Sequence, residues 1–116
     1  MKSNESKLQA ECVQWFRFNY PAYRYLLFAI PNGGLRNIKV AAKLKKEGVV
    51  AGVPDLFLAF PTNESAGLFI EMKYGKNTMT EAQKYMRQQL INQNYTHEVC
   101  YSFDEFVQII KGYLHE

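Results

Sequence analysis

Asp55, Glu71 and Lys73 are the residues in this chain whose types and spacing carry chemistry. On a strand, successive side chains alternate, so Glu71 and Lys73 point to one side while Ile70 and Met72 point to the other. Two apolar runs, 54–60 and 68–73, flank a short loop, which predicts an antiparallel hairpin. Centred on Asn63, that hairpin sets Asp55 opposite Glu71, with Cβ atoms about 4.5–5.5 Å apart. Two carboxylates at that separation repel, and a hard divalent cation between them removes the conflict. Oxygen ligands of this kind suit Mg²⁺ or Mn²⁺, which keep several waters and take only one or two protein carboxylates. Lys73, one step along the same face, then stands beside a water held by the ion. This is the apparatus of metal-assisted hydrolysis at a phosphate. Glu-x-Lys alone is an ordinary solvated strand face with a weak ion pair. The Asp that follows Gly52-Val53-Pro54 sets this instance apart.

Other residues extend the pattern. Glu11 borders an apolar stripe (Leu8, Cys12, Trp15, Phe16) in the first helical segment, either facing inward as a third carboxylate or reaching water from the rim. Gln83 falls in the first turn of a later helix, where it is also the expected capping-box partner of Thr80. Arg36, Lys39, Lys43 and Lys46 lie within about an 80° arc of one helix. That arc is either a solvated face or a track for a nucleic-acid backbone. The turns at Asn32-Gly33-Gly34 and Gly75-Lys76-Asn77 offer backbone amides and Lys76 to a phosphate, or are simply turns.

These residues must be positioned by a fold. Helices are predicted over 6–19, 38–47, 81–93 and from 103 onward, the last capped by Ser102 with Glu105. Strands are predicted over 23–30, 54–60, 68–73 and 98–101. Pro21 ends the first helix and Gly48 the second. Tyr85, Met86, Leu90, Cys12 and Cys100 read as core. The order αβαββαβα predicts an α/β fold with a mixed central sheet flanked by helices. At 116 residues, 47% apolar and 22% charged, the chain fits one domain, 1–116, with its own core.

Composition excludes several classes. No window approaches a membrane span of about 20 apolar residues, and residues 1–7 have no secretory h-region. Two cysteines make neither a disulfide framework nor a zinc site, so both are expected as free thiols in a reducing, cytoplasmic setting. A net charge of +3 permits nucleic acid without demanding it.

Glu11, the stretch Gly48-Val49-Val50-Ala51-Gly52-Val53-Pro54-Asp55-Leu56, Glu71-Met72-Lys73 and Gln83, in that order, resemble the VRR-NUC family of the PD-(D/E)XK nuclease superfamily. The resemblance implies a restriction-endonuclease-like core. It implies that Asp55, Glu71 and the main-chain carbonyl of Met72 are metal ligands and that Lys73 is the catalytic lysine. It assigns Glu11 to metal-held water or a second ion, and Gln83 to support of the site. The chain is similar to the short, stand-alone, phage-type members, which resemble Holliday-junction resolvases.

The expectation is therefore a Mg²⁺- or Mn²⁺-dependent, structure-specific DNA endonuclease acting on branched DNA as a homodimer, since a two-fold pair matches a two-fold junction. It needs no organic cofactor and no membrane, and works in the cytoplasm of a bacterial or phage-infected cell. The alternatives are a less selective nickase, flap or restriction-type nuclease, and a non-catalytic nucleic-acid-binding module on the same fold.

Overall fold

The structure, a computed structural model, describes residues 4–31 and 38–116. Its elements run α1 (Asn4–Asn19), a 3-10 turn (Pro21–Tyr23), β1 (Leu27–Ala29), α2 (Ile38–Lys46), β2 (Leu56–Leu58), β3 (Leu68–Met72), α3 (Glu81–Asn92), β4 (Thr96–Cys100) and α4 (Phe103–Tyr113). The four strands form one sheet in the order β1-β2-β3-β4. β1 and β2 pair antiparallel, as do β2 and β3, while β3 and β4 run parallel. The expected α/β order and mixed sheet are both present.

Alternation sorts the sheet into two faces. Leu27, Leu56, Leu58, Leu68, Ile70, Met72 and Cys100 point to one side and are buried with Cys12 and Phe16 of α1 and Phe106 and Ile110 of α4. Trp15 meets Phe103 and Phe106 edge-on, tying α1 to α4. On the opposite face Phe28, Phe57 and Phe69 form a ring ladder across three strands, with the Phe57 and Phe69 centroids 4.3 Å apart. His97 continues that row on β4, in register with Phe69. It is buried, and neither ring nitrogen reaches a partner beyond its own residue.

The first strand is much shorter than the predicted 23–30. Pro21 starts a 3-10 turn, and the amides of Tyr23 and Leu26 bond to the carbonyls of Tyr20 and Tyr23. Arg17 then donates to the carbonyls of Arg24 and Leu27, so only three residues remain to pair. Tyr85, expected in the core, is 68% exposed, whereas Met86 and Leu90 on the same helix are half-buried. Among the described side chains of α2, Val40 and Leu44 are half-buried, whereas Ala41 and Ala42 are exposed.

Candidate functional site

The hairpin register is the one predicted. Leu56 pairs with Ile70, Phe57 with Phe69 and Leu58 with Leu68, so the next step back sets Asp55 against Glu71. Strand β2 cannot extend beyond Asp55 as a regular ladder because Pro54 has no N–H to give. Met72, whose N–H points toward β2, is satisfied instead by Oδ2 of Asp55 at 2.8 Å. The Asp55 carbonyl accepts the N–H of Ile30 at 2.8 Å. Asp55 is therefore anchored by both its backbone and its side chain.

Glu71 is 2% exposed. Its Oε2 accepts from the Gln83 amide at 3.0 Å, whereas its Oε1 is buried with no donor. Burial, followed by the charge of Asp55 and contact with its carboxyl, pushes the Glu71 carboxyl up to about 8, against a smaller opposing pull from Lys73. Two carboxyls pressed together in this way share a proton unless a cation separates them. Lys73 follows β3 directly and is 7% exposed, its N–H bonded to the carbonyl of Cys100 at 2.9 Å.

Gln83 occupies both of the positions considered for it. Thr80 caps α3 by accepting the N–H of Gln83 at 3.2 Å, and Oε1 of Gln83 accepts the N–H of Thr80 at 2.8 Å. Because Thr80 needs an acceptor, the amide oxygen must face it, which leaves the NH₂ for Glu71. Gly52 brings the preceding loop against the same helix turn. It has φ +90°, and a Cβ there would strike the main chain of Ala82 and Gln83.

The helix-one carboxylate at the site is Glu5, not Glu11. The carboxyl of Glu5 is raised by burial and then by Asp55, is lowered by Lys73, and in turn raises Glu71. Glu11 is exposed. The reason is helical phase: Glu5 lies seven residues before Cys12 and eleven before Phe16, within about 20° of both, whereas Glu11 is about 120° from Glu5. The signal was present in the sequence, because Glu5 extends the buried Cys12–Phe16 line by two turns.

Glu5, Asp55, Glu71 and Lys73 feel one another's charges, a net acidic set of the kind that suits a divalent cation. The unpartnered Glu71 Oε1 is the oxygen such an ion would use, with Asp55 across the hairpin from it. Among the described residues no group of three or more His, Cys, Asp or Glu stands in metal-holding geometry. A carboxylate pair plus a carbonyl is a composition that would leave coordination positions to water and substrate.

The predicted phosphate-binding residues that the structure describes are all exposed. Lys39, Lys43 and Lys46 are exposed on α2, and Lys43 approaches Glu47 at 3.9 Å. Lys76 is exposed in the turn after Lys73, where Gly75 has φ +63°. Asn32 and Arg36 lie outside the described residues.

Comparison with known proteins follows the same outline. The VRR-NUC domain family matches residues 1–104. A solved structure of a VRR_NUC domain protein aligns with a TM-score of 0.83 and 26% identity, covering 99% of this chain and 91% of its own. No curated protein matches the chain.

Proposed function

The chain belongs to the VRR-NUC domain family, and from that premise we propose that it is a divalent-metal-dependent endonuclease that hydrolyses phosphodiester bonds in branched DNA. The observation that carries this reading is the buried, donorless Oε1 of Glu71 beside Asp55, with Lys73 next to both. Asp55, Glu71 and the Met72 carbonyl would hold Mg²⁺ or Mn²⁺. Bound there, the ion would lower the pKa of a water and screen the charge on the scissile phosphate.

The protein's own groups do the rest. Gln83 fixes one oxygen of Glu71 and so aims the other. The Met72 N–H does the same for Asp55. Lys73, held away from bulk water, orients the attacking water and offsets the charge that builds on the phosphate oxygens. Glu5 adds a further carboxyl whose charge Asp55 and Lys73 feel. The homodimer and the four-way junction belong to this reading because a two-fold pair presents two sites to a two-fold substrate.

Purified protein assayed on four-way, flap, splayed and linear DNA with Mg²⁺ or Mn²⁺, and with EDTA as the control, tests it. Cleavage should favour branched DNA. Lys73→Met should lose at least about a hundredfold in rate while still binding DNA. A Lys73→Met protein that cuts at the normal rate removes Lys73 from the mechanism. Tight junction binding without cleavage in either metal would point to the non-catalytic module.

A further inference from the structure

A groove of about 360 Å³ runs along α1 and is lined by Ser6, Gln9, Val13, Gln14, Arg17 and Ala29. Both ends of its location are informative. Ser6 follows Glu5, which is coupled to Asp55 and Lys73, and Ala29 precedes Ile30, whose N–H holds the Asp55 carbonyl. The groove therefore opens beside the candidate site. From Ser6 to Arg17 it spans about 16 Å at 1.5 Å per residue. That is about five base-pair steps of duplex.

Its lining is mixed, with Ala10, Val13 and Ala29 beside the polar side chains, and free of acid. Two glutamine side chains and a guanidinium line it, and no carboxylate does. Glu11, on the same helix, projects about 130° from the groove's midline. At the far end, Arg17 and Arg24 both lie over the ring of Tyr25, at 5.5 and 5.9 Å from its centroid. Tyr25 is 73% exposed. Among the described residues no carboxylate pairs with either arginine. Their Nε atoms are committed to main-chain carbonyls, of Arg24 for Arg17 and of Pro21 for Arg24, so both heads are fixed in place.

A guanidinium without an acid partner is a ready ligand for phosphate, and an exposed ring carrying two of them is a stacking surface that tolerates any base. We propose that this groove holds the sugar–phosphate backbone of the DNA strand leading away from the scissile phosphate, with Tyr25 and its two arginines as the platform at the far end. This assignment rests on the nuclease reading above but involves none of its catalytic groups. It adds a substrate track distinct from the lysines of α2.

The test measures binding and cutting separately. Binding of a fluorescein-labelled four-way junction is followed in EDTA across a salt series, and cleavage in Mn²⁺. Gln14→Glu, which adds one negative charge at an exposed groove position, and Tyr25→Ala should each weaken binding about tenfold at low salt. Arg24→Gln should lower the slope of log affinity against log salt by about one. Gln108→Glu on α4 is the same charge change on another surface and should leave binding within about twofold. Matching melting temperatures exclude misfolding as the cause. The track is overturned if the three groove variants bind like wild type, or lose no more than Gln108→Glu does. If that happens while Lys73→Met binds but does not cut, the groove assignment fails and the nuclease reading stands. If wild type neither binds nor cuts, both fail.

Discussion

The side chain of Gln83 joins Thr80 to Glu71: its oxygen closes the cap of α3 and its NH₂ holds one oxygen of Glu71. Helix initiation and carboxylate positioning are thus one arrangement. Gln83→Glu keeps an acceptor for Thr80 but replaces the donor toward Glu71 with a second acid. Its stability in urea should change by less than about 1 kcal/mol at acid pH, while its Mn²⁺ affinity by calorimetry should fall severalfold. Gln83→Ala removes both bonds and should cost about 1–2 kcal/mol.

Glu5 and Glu11 separate in a paired experiment. Glu5→Gln removes charge coupled to Asp55, Lys73 and Glu71, and should lower metal affinity or cleavage rate. Glu11→Gln changes an exposed position and should leave both within about twofold. Equal losses in the two variants would contradict the helical phase described above.

Two buried groups set opposite pH trends in the metal-free protein. Burial, then Asp55, raises Glu71 from 4.5 to about 8, so the folded state holds its proton more tightly than the unfolded one. That contribution is full below 4.5 and disappears as pH rises to about 8. Burial, then Arg87, lowers His97 from 6.5 to about 4, so its contribution is full above 6.5 and is lost as pH falls toward 4. Below 6.5 the two slopes oppose each other; above it only Glu71 acts. The melting temperature should therefore decline between pH 6.5 and 8 in EDTA, and Glu71→Gln should abolish that decline. His97→Phe should flatten the acid limb and extend the Phe28–Phe57–Phe69 row.

Gly52 is the point where the loop before Asp55 rests on α3. Gly52→Ala must move the main chain of Ala82 and Gln83 and also carries an L-residue at φ +90°. The expected loss is at least about 2 kcal/mol in denaturant, with a rate deficit that excess metal does not restore. Gly48→Ala also meets a positive φ but has open space around it, so its loss should be smaller and confined to stability.

The hairpin was legible because alternation and loop length act on adjacent residues: Asp55, Glu71 and Lys73 converge as their spacing requires. The Thr80–Gln83 cap was legible for the same local reason. Glu5 is hard to see in the sequence because the apolar stripe begins at Leu8, and a lone acid before it looks like ordinary first-turn charge. The length of β1 was hidden as well. An aromatic run suits a strand, but Pro21 and the reach of Arg17 to two carbonyls are tertiary facts that no window of sequence contains. Gln83 was weighed between cap and site because one residue rarely serves both, and only its two hydrogen-bond distances show that it does.

The pairing of Leu56 with Ile70 has a consequence for folding fidelity. A slip of one residue would turn every buried leucine of the hairpin toward water, and the hydrophobic effect forbids it. A slip of two residues would keep all of them inward. It would set Asp55 across from Lys73 or Phe69, yielding a well-packed molecule in which Asp55 and Glu71 no longer face each other. Apolar burial cannot tell these apart. The bond from the Met72 N–H to the Asp55 carboxylate spans this pair of strands and belongs to the observed alignment. It gives the hairpin a polar reason to prefer one of two equally buried registers.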